Sequence, residues 1–339
     1  MPRVLDIFDG DGFDVTTLTG LVNNQPFAPG QIGALGIFEE QGVDTTSIAM
    51  DMIDGTIVLV GPTPRGGTGE TRDHDRAAMT NLRIPHFQRD DAVYADEVQG
   101  KRQLGENADQ VQTVQQKIVD KSMTHFRDFD VTIEHQRMGA LKGIVTDKNA
   151  STMYNLFTVF DVAAQSTVYL DLAAASPGSG VLRDACDSII ETVENALGGS
   201  PYDHVHAIAG RGAYKKLHKH KEVQDSFKNT VDASFLRQGL PPKFNFGNIV
   251  WERYRTGGIA NLLDDEEIRF FPVGTPGLFK TFFGPADYEE TVNTLGLPRY
   301  VKQFPMPNGK GRNLEIQTNP LNICTKPRTL VTGNSAASG

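Results

Sequence analysis

The sequence is poor in the residues that usually announce chemistry. Among 339 residues there are two cysteines, Cys186 and Cys324, and one tryptophan, Trp251. The cysteines stand far apart and fit no zinc-ligand spacing. A chain folding with free thiols in a reducing compartment is the simpler expectation, with one disulfide as the alternative. No apolar run approaches membrane-spanning length, so no membrane partner is expected. Nothing near Met1 joins a basic flank to an apolar core, so no secretory signal is expected either. Positive charge is in deficit: 33 Lys and Arg against 42 Asp and Glu, a net charge of -9. That excludes tight nucleic-acid binding by the chain's overall electrostatics.

Catalytic signatures are missing as well. The stretch Asp9-Gly10-Asp11-Gly12 fails as a calcium loop, because the required glycine and glutamate positions hold Asp14 and Gly20. The glycine-rich run 61–70 lacks the lysine of a phosphate-binding loop. Ser179 lacks the glycine two residues earlier that a nucleophile elbow needs. No dinucleotide fingerprint follows a strand. His204 and His206 would share one face of a strand, as metal ligands could. His218 and His220 point about 200° apart on a helix, so both cannot join them. A solvated basic helix beside a strand is the plainer reading. Asp264-Asp265-Glu266-Glu267 reads as a solvated turn. No catalytic residue, metal site or cofactor is expected.

What is present is a long helical pattern. Val111, Val114, Ile118, Phe126, Phe129, Ile133 and Leu141 follow one another mostly at threes and fours, with Met123 partly filling one gap. The residues between are mostly polar and predict a wet opposite face, Gln136 included. A helix over 107–142 would measure roughly 54 Å, and Gly143 suits its C-cap. Ahead of it, 1–43 reads as an extended arm. Apolar runs at 47–53 and 56–60 flank Asp54-Gly55, a hairpin signal. A charged stretch then returns with Met79, Leu82, Ile84 and Phe87 alternating loosely. A two-stranded arm is marginal in water, so it is expected to dock on a neighbour.

Beyond the helix, 144–145, 152–159 and 166–172 read as strands, and the small-residue run 173–180 as a linker. Leu182, Cys186, Ile189, Ile190, Val193 and Leu197 then form one face of a helix that Gly198-Gly199 ends. A strand at 204–209, a lysine-rich helix at 212–227 and strands at 244–254, 268–273 and 278–283 follow. That order describes a compact α/β sandwich. Strands at 300–304, 313–318 and 321–324 close the chain before a tail at 335–339.

The order of these parts resembles the major capsid proteins of tailed double-stranded DNA phages, with their Hong Kong 97-like fold, and the lambda-type head proteins among them. Arg65-Gly66-Gly67-Thr68 is similar to the lambda-type hairpin-arm loop. Met138-Gly139-Ala140-Leu141-Lys142-Gly143 ends the long helix as Val-Leu-Lys-Gly does in that family. Pro298-Arg299-Tyr300-Val301-Lys302 and the run 314–321 resemble its closing strands. The likeness spans 38–333.

The resemblance implies an α+β fold with an N-arm at 1–44 and a β-hairpin E-loop at 45–95. A peripheral (P) domain at 96–179 would carry the long spine helix, with Val114, Ile118, Phe126, Phe129, Ile133 and Leu141 as its core face. An α/β axial (A) domain would occupy 180–293, with P-domain return strands at 294–334. Arms without cores are then explained, since their apolar residues bury between copies. Arg65, Gly66, Gly67, Glu70, Arg72 and Asp73 of the E-loop become candidate intersubunit contacts. The implied function is a structural subunit that self-assembles as pentamers and hexamers into an icosahedral head in the host bacterial cytoplasm. The implied partners are a scaffolding protein, a decoration protein on the outer surface, a portal protein at one vertex and packaged double-stranded DNA held non-specifically. A negative chain suits a lining that must not grip DNA. Two other classes compete: a hydrolase built on 180–293, and a soluble oligomeric binding module.

Overall fold

A computed structural model describes residues 14–24, 30–51, 79–98, 110–174, 178–228, 241–255 and 262–337. Part of the expected extended arm, 1–43, is helical among its described residues. Asp14 accepts a hydrogen bond from the Val15 amide and starts helix α1 (Val15–Asn23). Val15, Leu18 and Val22 fall three and four apart and are buried, which is enough to fold two turns onto the chain's own core. A single turn, α2 (Gln31–Ala34), leads into strand β1 (Phe38–Gly42). Strand β2 (Ser47–Asp51) pairs antiparallel with β3 (Met79–Arg83), so the returning strand is where the alternation puts it. The Asp54-Gly55 turn lies outside the described residues. Strand β4 (Phe87–Tyr94) and the turn α3 (Ala95–Val98) complete the approach to the long helix.

That helix, α4 (Gln110–Lys142), runs 33 residues and ends at Gly143, whose φ of 78° only glycine adopts freely. A Cβ on Gly139 would meet the Val145 Cα at 2.8 Å, so the helix passes hard against β5 (Ile144–Thr146). β5 pairs with β6 (Thr152–Asn155). The expected strand then breaks: the Asn155 side chain caps α5 (Leu156–Val159) by accepting from the Phe157 and Thr158 amides. A two-residue strand, β7 (Val168–Tyr169), follows.

The second half forms around a mixed six-stranded sheet. After α6 (Val181–Leu197), capped by Gly198 as expected, come β8 (His204–Ala209), α7 (Arg211–Lys219) and α8 (Lys221–Lys228). The single expected helix splits at His220, which turns extended at ψ 135°. The expected strand 244–254 is a hairpin, β9 (Lys243–Phe246) and β10 (Ile249–Arg253). It turns on Gly247 and Asn248 with φ of 57° and 55°, the positive values that a two-residue hairpin turn demands. β11 (Glu267–Val273), β12 (Phe279–Phe283), β13 (Tyr300–Pro305), β14 (Gly311–Thr318), β15 (Pro320–Cys324) and β16 (Val331–Asn334) complete the chain.

The sheet order is β7-β16-β11-β8-β10-β9. Strands from 168–169 and 331–334, outside 180–293, therefore pair into it. β12 belongs instead to a three-stranded sheet, β1-β12-β15, in which β1 runs parallel to β12. A third sheet, β13-β14-β4, lies along the outer half of α4. One face of the six-stranded sheet, with Val205, Ala207, Trp251 and Phe270, buries against α6 to α8. Its other face, with Ile208 and Phe271, shares a core with the inner end of α4 and the β1-β12-β15 sheet.

Candidate functional site

The spine helix is where the three larger sheets meet, and its two ends are held differently. Along the outer end, Ile118, Phe126 and Phe129 pack with Leu18, Val22, Val93, Val301, Leu314 and Ile316. The opposite side is wet: Gln116, Asp120, Thr124, Arg127, Asp128 and Val131 are exposed. From Ile133 to Leu141 every residue except the half-buried His135 is buried. The single apolar stripe read from the sequence thus holds only for the outer end. Gln136, expected on a wet face, is 2% exposed. Its Oε1 accepts from Asn322 Nδ2 at 2.8 Å, because β15 crosses the helix there.

The enclosed charges have designated partners. Glu134 accepts from the Ile32 and Gly33 amides at 2.7 and 3.2 Å, seating the first turn of α2 on the helix. A Cβ on Gly30 would meet the Glu134 carboxyl carbon at 2.3 Å, so only glycine lets the two approach. Arg137 pairs with Glu40 at 2.6 Å, lies over the Phe38 ring at 5.1 Å and reaches Asn322 and Thr281 at 3.4 Å each. One and two turns back, Asp130 accepts both bonds of Arg299 at 3.1 Å while the Arg299 guanidinium covers the Phe126 ring. Burial raises the Asp130 and Glu134 carboxyls above their ordinary range, more than Arg299 and the α2 amides lower them. A cavity of about 140 Å³ lies between these two ion pairs, walled by Phe129, Ile133, Phe283 and Pro298. Both of its arginines are already matched by carboxylates, which leaves it no open charge for an anionic ligand.

Two further ties join the helix region to the six-stranded sheet. Gln31 donates to Glu252 at 2.6 Å and to the Arg253 carbonyl at 2.8 Å, and accepts from the Arg255 amide at 2.7 Å. Lys142, at the helix end, pairs with Glu267 at 2.9 Å, and Glu267 also pairs with Arg269. Burial pushes the Glu267 and Glu252 carboxyls up. Arg269 and Lys142 outweigh it at Glu267, and His206 and Gln31 at Glu252, so both end below the usual range.

Of the residues singled out in the sequence, Ile118, Phe126, Phe129, Ile133 and Leu141 lie in the core at 6% exposure or less. The Val114 side chain lies outside the described residues, as do Arg65, Gly66, Gly67, Glu70, Arg72 and Asp73. His204 and His206 do share a face, with ring centroids 5.9 Å apart, but His206 is buried against Phe271 and faces Glu252 at 3.2 Å. Among the described residues no group of three or more potential ligands could hold a metal ion. The acidic turn at 264–267 is not simply solvated. The Asp265 carbonyl accepts from the Ala213 amide at 2.7 Å, Glu266 pairs with Lys216, and Glu267 is taken as above. Cys186 and Cys324 are buried free thiols, each pushed by burial up to about 12. No helix among the described residues is long and apolar enough to cross a membrane.

Comparison with known proteins assigns this architecture. The family model for phage major capsid protein E matches residues 14–335. The major capsid protein of Pseudomonas phage KPP10 is 29% identical, over 96% of this chain and 98% of its own length. That of Salmonella phage Felix O1 is 25% identical, over 96% and 97%. Among solved structures, one described as the capsid protein of an Escherichia coli CFT073 prophage aligns with a TM-score of 0.59. Its identity is 13%, over 95% of this chain and 98% of that one. A phage-related protein of Bordetella bronchiseptica RB50 aligns at 0.52 and 12% identity, over 95% and 96%. The chain belongs to the phage major capsid protein E family and has its α+β, Hong Kong 97-like capsid fold. It is a structural subunit of the tailed-phage virion, and copies of it assemble with one another into a shell. This displaces the hydrolase and binding-module alternatives.

Proposed function

We propose that the shell is an icosahedral head built of pentamers and hexamers of this chain around double-stranded DNA. The family match over nearly the whole chain carries this reading. The six-stranded sheet with α6 to α8 acts as the axial domain around the five-fold and six-fold axes. The spine helix with the β13-β14-β4 sheet acts as the peripheral domain. A scaffolding protein sets the size of the shell as it assembles in the host cytoplasm, a portal protein occupies one vertex and a decoration protein binds outside. The DNA is contacted without sequence preference, as a net charge of -9 suits. Coexpression with the phage's scaffolding protein should give closed, uniform shells by negative-stain microscopy. Small discrete oligomers in their place would overturn the reading.

The E-loop is proposed as one intersubunit contact. Asp51 and Met79 are register partners at the open end of the β2–β3 pair. Whatever path 52–78 takes, it leaves and returns at one place, as a projecting arm does. Arg65, Glu70, Arg72 and Asp73, with Gly66 and Gly67 between them, are then the candidate contacts with a neighbouring copy. Exposed ion pairs contribute about 0–1 kcal/mol each, multiplied over a shell. Arg65→Glu with Arg72→Glu should weaken shells and leave the unfolding of the free chain unchanged.

A further inference from the structure

α6 and α7 lie over opposite ends of one face of the six-stranded sheet, and their outer surfaces carry opposite charge. α6 lies over β11 and β16, toward the β7 edge; α7 lies over β10, toward the β9 edge. On α6 the buried residues Leu182, Cys186, Ile189, Val193 and Leu197 face the sheet. Asp184, Asp187 and Glu191, three and four residues apart, are exposed on the far side. On α7 the buried residues are Ala213, Tyr214 and Leu217, and Arg211, Lys215 and Lys219 follow one another at intervals of four along the exposed side. Among the described residues none of these six charges takes part in an ion pair. The neighbouring charges are engaged differently: Arg183 turns over the Phe246 ring, Glu194 accepts the Tyr202 hydroxyl and Lys216 pairs with Glu266.

We infer that the acidic stripe of α6 docks against the basic stripe of α7 on a second copy of the chain. The inference rests on the proposal that copies form rings. An acidic surface toward one edge of a sheet and a basic surface toward the other suit a ring, in which each copy meets one neighbour at each edge. The two surfaces match head to tail, and a head-to-tail contact closes into a ring when its rotation divides the circle. Like-charge repulsion in the reversed arrangement would also give the contact its direction.

Cysteine pairing tests the contact directly, since both native thiols are buried. A Glu191→Cys chain mixed with a Lys215→Cys chain, with scaffolding protein and a mild oxidant, should give disulfide-linked dimers roughly tenfold above either variant alone. Equal dimer from one variant alone, or none from the mixture, overturns the inference. Charge exchange provides the second readout. Glu191→Lys and Lys215→Glu should each cut the assembled fraction about tenfold, and the two together in one chain should restore it to within about twofold. No restoration also overturns it. Both charges are on solvent faces, so the unfolding transition of the free chain serves as the folding control. Closed shells without cross-links sink the contact alone. Cross-linked rings without closed shells sink the icosahedral reading alone, and the absence of both sinks both.

Discussion

The outer and inner ends of α4 belong to one helix and obey different rules. At the outer end one face is apolar and buried on the β13-β14-β4 sheet, and the other is wet. At the inner end the chain closes in from α2, β5, β11 and β15, and polar side chains are as buried as Leu141. Apolar area holds the first end. Partner matching holds the second: the Glu134 carboxylate, the Arg137 guanidinium and the Gln136 Oε1 are each supplied with bonds, while the buried Gln136 Nε2 has none among the described residues. A hydrophobic period therefore identifies such a helix without revealing how far it is enclosed.

The largest expected effect lies at the outer end. Phe126→Ala empties a fully buried site that also holds the Arg299 guanidinium. It should cost about 3–5 kcal/mol in denaturant unfolding of the unassembled chain, and shells should fail to form. Gln136→Ala sharpens the contrast. It removes no charge and little apolar area, yet it strands the buried Asn322 amide, so about 1–3 kcal/mol should be lost. Thr124→Ala, on the wet side of the same helix, should stay within about 0.5 kcal/mol of the parent. If Gln136→Ala unfolds like Thr124→Ala, the two ends do not differ in kind.

The smallest effect is in pH dependence, and it has opposite signs in two places. Glu134 is raised above 4.5 in the folded chain. It therefore adds stability as pH falls through the raised value, with the gain complete below 4.5. Glu267 is lowered, so its contribution is complete above 4.5 and is lost as pH falls through the lowered value. Melting temperatures across the acid range should show the rise above pH 4.5 flattened in Glu134→Gln and the fall below it flattened in Glu267→Gln. The same change in both variants would break the comparison.

Much of the fold was legible because local signals agreed with it. Phe126, Phe129 and Ile133 marked the spine, Gly143 its end, and Leu182 to Leu197 the helix α6. The misses have identifiable causes. Gln136 and Arg137 look like wet-face residues until Asn322, Thr281 and Glu40 arrive from distant parts of the chain. α1 is only two turns long, and Val15, Leu18 and Val22 are too few to outweigh the glycines and prolines around them. Gly247-Asn248 sits inside an otherwise continuous β-rich run and hides a hairpin. Val331-Thr332-Gly333-Asn334 carries one large apolar side chain, and only its pairing with β11 makes it a strand. The candidate contact residues of the E-loop were read from composition and family likeness, which name a surface without giving its partners.

The direction of β1 governs how the chain bears force. β1 and β12 run the same way through five register pairs, from Phe38↔Phe279 to Gly42↔Phe283. A pull on β1 toward the N-terminus, resisted at the far end of β12, acts along the strands, so the pairs share the load and slip together or not at all. β2 and β3 are antiparallel, and force entering through Asp51 and Met79 meets one pair at a time. The subunit thus has a latch at its leading segment and a zipper at the β2–β3 pair. Under tension between neighbours, the zipper gives first.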